Sequence, residues 1–267
     1  NLLKGKRGII FGALDENSIA WKTAERVHEE GGIFVLTNAP VAMRLGTITS
    51  LAEKTNSKVI PADATSIEDL ENLVEQAMEI LGGKIDFVLH SIGMSMNVRK
   101  GNHYTNQNYE FTAKGTDVSA MSFHKVMQVL YKKDAMNEWG SIVALSYMAA
   151  QRVFPDYNDM ADNKAYLESI ARSFGYFFGR DKKVRVNTIS QSPTPTTAGM
   201  GVKGFGGFIA YADKMSPLGN ATALDCANYT VTLFSDLTKR VTLQNLYNDG
   251  GFSNMGVSDF VMERFDE

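Results

Sequence analysis

Short runs of apolar residues alternate along the chain with longer segments of helical periodicity. Six of these runs have the apolar pattern of strands that are buried on both faces. They are Arg7–Phe11, Ile33–Thr37, Lys58–Pro61, Ile85–His90, Ser141–Leu145 and Val184–Ile189. Such strands suit a parallel sheet with helices on both faces. The alternation therefore predicts a doubly wound α/β sandwich with right-handed crossovers.

The segments between the runs predict helices. Ser18 opens one that extends to about residue 30, and Ser66 opens another, with Asp69 where a capping-box acid would stand. Further helices are predicted from about 115 to 136, from 160 to 178 and from 224 to 237. No Ser-, Gly- or Pro-rich linker divides the chain, so we predict a single domain, residues 1–267, with about seven strands.

Two segments interrupt the alternation. The segment from about 93 to 109 is polar and poorly periodic, and the segment from about 191 to 215 contains Pro193, Pro195 and five glycines. Both segments follow predicted strands. Ligands of open α/β sheets bind outside the carboxyl ends of the strands. We therefore expect both loops to border a ligand crevice, with plain solvent loops as the alternative.

Composition and charge narrow the classes of function. The 267 residues are 44% apolar and 21% charged, which excludes a disordered chain. Cys226 is the single cysteine, so no intramolecular disulfide forms, and the four histidines have no metal-ligand spacing. The net charge of −3 does not suggest a nucleic-acid partner, and no apolar run approaches the roughly 20 residues of a membrane span. The prediction is a cytoplasmic protein without a metal.

The turn after the first run has features of a phosphate site. It lacks the G-x-G-x-x-G fingerprint of dinucleotide folds. Gly12 nevertheless lets the backbone turn sharply and approach a phosphate, and Ser18 is predicted to cap the following helix beside a pyrophosphate. An ordinary capped turn explains the same residues.

Other strand ends supply further candidates. Asn38 follows the second run, where neither the acid typical of NAD sites nor the arginine typical of NADP sites stands. Asp63 and Ala64 are expected to end the third strand, where an aspartate can bond an adenine amino group. Ser91, Ile92 and Gly93 follow the fourth run, and the glycine there permits close approach of a cofactor.

Two tyrosines and a lysine follow the fifth run. Ser146 and Tyr147 come directly after that run, and Lys164 lies seven residues after Tyr157. Seven residues on a helix are about two turns, so both side chains would share one face. A nearby ammonium lowers the pKa of a phenol and makes it a better proton donor to an oxyanion. Tyr176 and Lys183 have the same spacing, but Lys183 enters a strand at the opposite edge of the sheet; Tyr176 is expected in the core or at an oligomer face.

The combined motifs resemble one branch of the short-chain dehydrogenase/reductase superfamily, the enoyl-acyl-carrier-protein reductases of bacterial fatty-acid synthesis. No tyrosine has the lysine four residues later that most of the superfamily carries. The similarity covers nearly the whole chain and rests on Gly12-x5-Ser18-Ile19-Ala20, His90-Ser91-Ile92-Gly93, Ser146-Tyr147, Pro155-Asp156-Tyr157-Asn158, Lys164, Val184-Arg185-Val186-Asn187 and Asp249-Gly250-Gly251-Phe252.

The resemblance implies a Rossmann-type fold and hydride transfer from a nicotinamide cofactor to C3 of a trans-2-enoyl thioester on acyl carrier protein. Tyr157 would stabilise the enolate oxygen, Lys164 would hold the ribose and lower the phenol pKa, and Tyr147 would lie near the substrate. The implied cofactor-binding residues are Gly12, Ser18, Ile19, Asp63, Ala64, Ser91, Ile92, Gly93, Lys164, Pro193, Thr194 and Thr196. The lack of a base at the end of the second run favours NADH, with NADPH not excluded. A homotetramer is also implied.

Two alternatives stay open. Another reductase of the same superfamily would act on a carbonyl or an alcohol, and a catalytically inactive relative would only sense dinucleotides. The acidic carrier is expected to dock on some of Arg99, Lys100, Lys203 and Lys214, with a merely solvated surface as the alternative.

Overall fold

The computed structural model describes residues 1–44, 47–200 and 204–266. Within these ranges the strands are β1 Arg7–Phe11, β2 Ile33–Thr37, β3 Lys58–Val59, β4 Ile85–His90, β5 Met136–Ser146, β6 Arg185–Gln191 and β7 Asn245–Asn248. The α-helices are α1 Ile19–Glu29, α2 Ile48–Lys54, α3 Ile67–Leu81, α4 Met96–Lys100, α5 Tyr109–Thr116, α6 Ser122–Lys132, α7 Asp159–Lys182, α8 Thr197–Met200, α9 Phe205–Met215, α10 Ala223–Phe234 and α11 Asp259–Met262. A π-helical turn, Asp117–Met121, joins α5 to α6.

The strands form one parallel sheet in the order β3-β2-β1-β4-β5-β6-β7. The chain runs outward in one direction from β1 to β3 and in the other from β4 to β7. This reversal lies between β1 and β4, which pair through Gly8 and Phe87. A crevice opens at such a switch point, outside the carboxyl ends of the strands. The predicted doubly wound sheet is confirmed.

The core has two layers, one on each face of the sheet. Helices α3, α6 and α7 pack on one face, with Phe123 and Phe178 fully buried. Helices α1, α2 and α10 pack on the other face, where Phe234 stacks on Phe87 at 4.8 Å between ring centroids. Gly8 makes room for this stack, because a Cβ there would lie 1.9 Å from the Phe87 ring.

Several helices and strands begin or end where the sequence predicts. Strands β1, β2 and β4 match their predicted bounds, and α1 and α3 begin directly after Ser18 and Ser66. The Ser66 hydroxyl accepts the Asp69 N–H at 3.2 Å. The Asp69 carboxylate accepts the N–H of Asp63 at 2.8 Å rather than completing a capping box, because the Ser66 N–H already bonds to the Asp63 carbonyl.

Other predicted bounds are wrong. Strand β3 ends at Val59, two residues early. The helix expected from 115 begins at Tyr109, because the Asn108 side chain caps it by accepting two backbone N–H groups, and the helical run ends at Lys132 instead of 136. Helix α10 ends at Phe234 instead of 237. Both segments that were expected to be loops contain helices: α4 lies in the first, and α8 and α9 lie in the second. No helix within the described ranges is both long and apolar enough to cross a membrane.

Candidate active site

A cavity of about 400 Å³ lies at the carboxyl ends of β1, β4, β5 and β6. Most of the predicted site residues line it. They are Gly12, Ser18, Ile19, Ser91, Ile92, Gly93, Tyr147, Tyr157, Lys164, Pro193, Thr194 and Thr196. Asp63 and Ala64 do not line it: the Asp63 carboxylate accepts bonds from Thr65, and Ala64 is buried in the core. β3 ends at Val59, so neither residue ends the third strand as expected.

The turn at Gly12 brings the ends of β1 and β4 into contact. Gly12 has φ +93°, and a Cβ there would lie 2.0 Å from the carbonyl oxygen of Ser91. Only glycine fits this close approach without strain. Gly12 and Ser91 both line the cavity, so the two strand ends meet at its wall.

Ser18 stands at the N-cap of α1, but its hydroxyl does not cap the helix. It donates to the Asp15 carbonyl at 2.7 Å and accepts the Leu14 N–H at 3.3 Å. The predicted capping bond is therefore wrong, because the hydroxyl is engaged in closing the preceding turn. The N-terminus of α1 still faces the cavity through Ser18 and Ile19.

The end of β2 is fastened to the same turn. Asn38 lines the cavity, and its amide donates to the Ala13 carbonyl at 2.9 Å. Its side-chain oxygen accepts the Ala39 N–H at 2.8 Å. Both polar atoms of the Asn38 side chain are therefore bonded to backbone, and the side chain holds the first turn in place.

Tyr157 does not lie on the helix that carries Lys164, so the expected shared helical face is wrong. It ends the 3-10 turn Pro155–Tyr157, and α7 begins only at Asp159. Asn158 separates the two elements with φ +48°. The Asn158 amide donates to the Asn102 carbonyl at 2.6 Å, and its oxygen accepts from Gln107 at 2.6 Å. These bonds hold a backbone conformation that few residues other than glycine adopt.

A buried polar cluster fastens the segment after β4 to the start of α7. The Asp159 carboxylate is almost fully buried and accepts the Ser95 hydroxyl and the Asn97 amide. Ser95 also caps α4 by accepting the Val98 N–H at 3.0 Å. Sequence reasoning missed this cluster, because about 60 residues separate its members and no spacing signals their contact.

Lys164 reaches the cavity from the second turn of α7. Its Nζ donates to the Leu145 carbonyl at 2.7 Å, and a Cβ at Gly93 would lie 3.8 Å from it. Burial lowers the pKa of the Lys164 ammonium to about 8, and the negative charge of Glu168 acts in the opposite direction. Lys164 therefore still carries its charge at pH 7.

The two tyrosines pack against each other at the cavity wall. The rings of Tyr147 and Tyr157 meet edge to face at 5.1 Å between centroids. Burial raises the pKa of both phenols. The expectation that Lys164 lowers the Tyr157 pKa is therefore wrong here, because loss of solvation dominates. Both phenols stay neutral and keep their protons near pH 7.

His90 lies behind these residues at the end of β4. Its Nε2 pairs with the Ser122 hydroxyl at 2.8 Å. Burial, aided by the charge of Lys164, lowers the pKa of His90 to about 3. It is therefore a neutral structural residue at physiological pH.

The segment after β6 forms the facing wall. Gln191 is buried, donates towards the carbonyls of Ala221 and Thr222 at 3.2 Å, and accepts from Asn248 at 2.7 Å. Asn220 donates to the Pro193 carbonyl at 2.8 Å. These bonds hold the turn at Pro193 against the cavity. The predicted loop also includes 201–203, and with them Lys203, which lie outside the described residues.

The cavity has the features of a dinucleotide site. The tight turn at Gly12 lines it, the N-terminus of α1 faces it at Ser18, and the buried ammonium of Lys164 borders it. The phenol oxygen of Tyr147 is buried with no hydrogen-bond partner among the described residues. These groups fit a nicotinamide cofactor and a polar substrate atom. Across the described ranges, no group of three or more His, Cys, Asp or Glu side chains could hold a metal ion.

Comparisons with known proteins agree with this geometry. A family model described as enoyl-(acyl carrier protein) reductase matches residues 12–253. The crystal structure of the FabI–NADH complex from Alistipes finegoldii is 66% identical, with a TM-score of 0.95 over 96% of this chain and 91% of that chain. Enoyl-acyl-carrier-protein reductase (NADH) 1 of Rhizobium meliloti is 32% identical over 259 residues, which are 96% of this chain and 93% of the relative.

Proposed function

The chain belongs to the enoyl-(acyl carrier protein) reductase family, and we propose that its cavity is where an enoyl thioester is reduced. The reaction is reduction of the trans-2 double bond of enoyl-acyl-carrier-protein in fatty-acid synthesis, with NADH as the cofactor. The convergence of Tyr147, Tyr157 and Lys164 on one cavity carries the assignment of the site. When bound, NADH supplies the hydride that adds to C3, and a proton adds at C2.

Tyr157 is the proposed hydrogen-bond donor to the thioester oxygen. Negative charge builds on this oxygen as C3 accepts the hydride, and a fixed donor stabilises it. Burial keeps the Tyr157 pKa high, so the phenol holds its proton throughout the physiological range. Tyr147 packs on the ring of Tyr157, and its own hydroxyl is available to a substrate atom.

Lys164 is proposed to hold the nicotinamide ribose and to add positive charge to the site. Its bond to the Leu145 carbonyl directs the ammonium to the cavity. Because burial lowers the Lys164 pKa to about 8, the charge is present at neutral pH and is lost as the pH rises through that value. Cofactor affinity should weaken over the same range.

The remaining predicted contacts divide by position. We assign the pyrophosphate to the Gly12 turn and the N-terminus of α1, and the nicotinamide to Gly93 and the Pro193 turn. The proposed residues are Gly12, Ser18, Ile19, Ser91, Ile92, Gly93, Pro193, Thr194 and Thr196, all of which line the cavity. Asp63 and Ala64 remain a prediction that the position of their side chains does not support. At the end of β2, the amide of Asn38 is bonded to backbone, which is consistent with NADH.

The proposed assembly is a homotetramer. Tyr166, Tyr176 and Phe177 on α7 are all more than 40% exposed, and the rings of Tyr176 and Phe177 meet at 5.2 Å between centroids. Exposed aromatic residues are typical of subunit contacts. The exposure of Tyr176 excludes the core as its place.

Arg99 lines the cavity and, with Lys100, is proposed to meet the acidic carrier. The cytoplasmic location stays a prediction.

The test is turnover of crotonyl thioester, on carrier protein or coenzyme A, with NADH and with NADPH in parallel. Loss of nucleotide absorbance with NADH, and slower loss with NADPH, is expected. Turnover of a ketone without turnover of the enoyl thioester would indicate a carbonyl reductase instead. Dinucleotide binding with no turnover of either substrate would indicate a sensor.

A further inference from the structure

A buried carboxylate lies behind the catalytic residues. Glu168 on α7 is 3% exposed, and it was not among the residues that the sequence singled out. Burying a charged carboxylate costs several kcal/mol unless other groups bond to it or balance its charge. The neighbours of Glu168 therefore show what the carboxylate is doing.

Residues 146–151 form the segment that carries Tyr147. Each carboxylate oxygen of Glu168 accepts a hydrogen bond from one end of this segment. The Ser146 hydroxyl donates to Oε1 at 2.7 Å, and the Gln151 amide donates to Oε2 at 3.1 Å. The Gln151 oxygen in turn accepts the Tyr247 hydroxyl at 2.9 Å. Residues 146–151 are thus fixed to α7 at both ends and to β7 at one.

Lys164 and Glu168 form a matched pair along α7. They are four residues apart, so they lie on one face of the helix. Lys164 bonds to the carbonyl of Leu145, and Glu168 bonds to the side chain of the next residue, Ser146. Two successive turns of the helix therefore hold two successive residues at the end of β5, and Tyr147 follows immediately.

The charges around this pair identify Glu168 as the group that supports the Lys164 ammonium. His90 faces Lys164 from β4, and its low pKa keeps it neutral. Tyr157 lines the same cavity as Lys164, and burial raises the pKa of its phenol and keeps it protonated. The negative charge of Glu168 raises the Lys164 pKa against the effect of burial. On the far side of Glu168, Tyr247 is flanked by the charges of Arg152 and Asp249.

We propose that Glu168 is a positioning residue of the reductase, which fixes the Tyr147 segment against α7 and sets a negative charge one helical turn from Lys164. This role rests on the proposed functions of Tyr147 and Lys164. Glu168 acts through both of them and does not itself line the cavity.

Three variants separate the two effects of Glu168. Glu168→Gln removes the charge and keeps a side chain that can accept the Ser146 bond. Gln151→Leu keeps the charge and removes one of the two bonds to the Tyr147 segment. Glu110→Gln is the matched surface control, because Glu110 is an exposed glutamate on α5. Thermal melts of all three establish that each variant is folded before its kinetics are compared.

The measurements are the dissociation constant of NADH and kcat/KM for the enoyl thioester from pH 6 to pH 10. In Glu168→Gln the alkaline decline of NADH affinity and of kcat/KM should move down by about one pH unit, as expected when an opposite charge is removed from a lysine. Gln151→Leu should lower kcat severalfold and leave the position of that decline unchanged. The Glu110→Gln profile should coincide with that of the wild type.

Two results would overturn the proposal. One is a Glu168→Gln profile whose alkaline decline coincides with that of the wild type. The other is an equal loss at every pH in Glu168→Gln and Gln151→Leu, which a purely structural role would give. If Glu168→Gln does not fold, an unchanged kcat in Gln151→Leu removes the positioning role. If the wild type fails to reduce any enoyl thioester, the proposed function fails, while the pH dependence of NADH binding still tests Glu168.

Discussion

Replacing Lys164 by methionine should stabilise the folded protein at neutral pH while it weakens cofactor binding. Burial lowers the Lys164 pKa from 10.5 to about 8. Holding the charged form in the fold at pH 7 therefore costs about 3 kcal/mol of unfolding free energy. Methionine fills a similar volume, suits a helix and carries no charge. The lost bond to the Leu145 carbonyl offsets about 1–2 kcal/mol, which leaves a net gain of about 1–2 kcal/mol.

The pH dependence of this gain follows from the sign of the pKa shift. The pKa of Lys164 is lower in the folded state than in the unfolded state, so the folded state releases the proton first. Below pH 8 both states are protonated, and the wild type bears the full cost. Between about pH 8 and pH 10.5 the cost disappears, and the wild type gains stability relative to the variant. The advantage of Lys164→Met should therefore shrink or reverse by about 3 kcal/mol over that interval.

Urea unfolding of both proteins at pH 7 and at pH 10 measures this change. Protein concentration must be the same in all samples, because subunit assembly adds to apparent stability. Lys58→Met replaces an exposed lysine and serves as the control for loss of a surface charge. The raised pKa values of Tyr147 and Tyr157 keep both phenols neutral at pH 10. A variant that is less stable than the wild type at pH 7, or one with the same advantage at both pH values, would refute the reasoning.

Two further substitutions test other parts of the site. Tyr157→Phe should lower kcat by about 100-fold or more, because the donor to the developing oxyanion is lost, while fluorescence titration should show an unchanged dissociation constant for NADH. An unchanged kcat would exclude the proposed role of Tyr157. Gly12→Ala should weaken NADH binding in calorimetry and lower the Tm, because its Cβ would lie 2.0 Å from the Ser91 carbonyl oxygen. Wild-type affinity in this variant would remove Gly12 from the cofactor site.

The central strands could be predicted from the sequence because burial alone decides them. Runs such as Ile33–Thr37 and Ile85–His90 are apolar on both faces, and a covered parallel sheet is the structure that accommodates them. The starts of α1 and α3 were also predictable, since each follows a serine at a change of periodicity. Most of the cavity residues then followed from the rule that ligands bind at the carboxyl ends of the strands.

The corner at Tyr157 could not be predicted in the same way. A spacing of seven residues to Lys164 indicates one helical face only if the helix is continuous. Asn158 interrupts it, and its φ of +48° is held by hydrogen bonds to Asn102 and Gln107, more than 50 residues earlier in the chain. Long-range partners of this kind leave no periodic signal.

Helix α9 was missed for a different reason. Its sequence contains Gly206 and Gly207, and each glycine in a helix costs about 1 kcal/mol relative to alanine. The helix is supported by packing instead: Ala212 and Met215 are buried in the cluster that contains Tyr147. Tertiary contacts with the site therefore override the local preference of the segment.

The segment from 91 to 108 connects the two halves of the proposed mechanism. Its first residue, Ser91, contacts the Gly12 turn that is assigned to the cofactor. Its later residues bond to Asn158 and Asp159, which set the place of Tyr157. The polar groups that predict a loop in this segment therefore hold the corner at Asn158 in place. Because one segment supports both, the distance between the cofactor site and the phenol depends on β4, on the residues after it and on the start of α7 at Asp159, to which they bond.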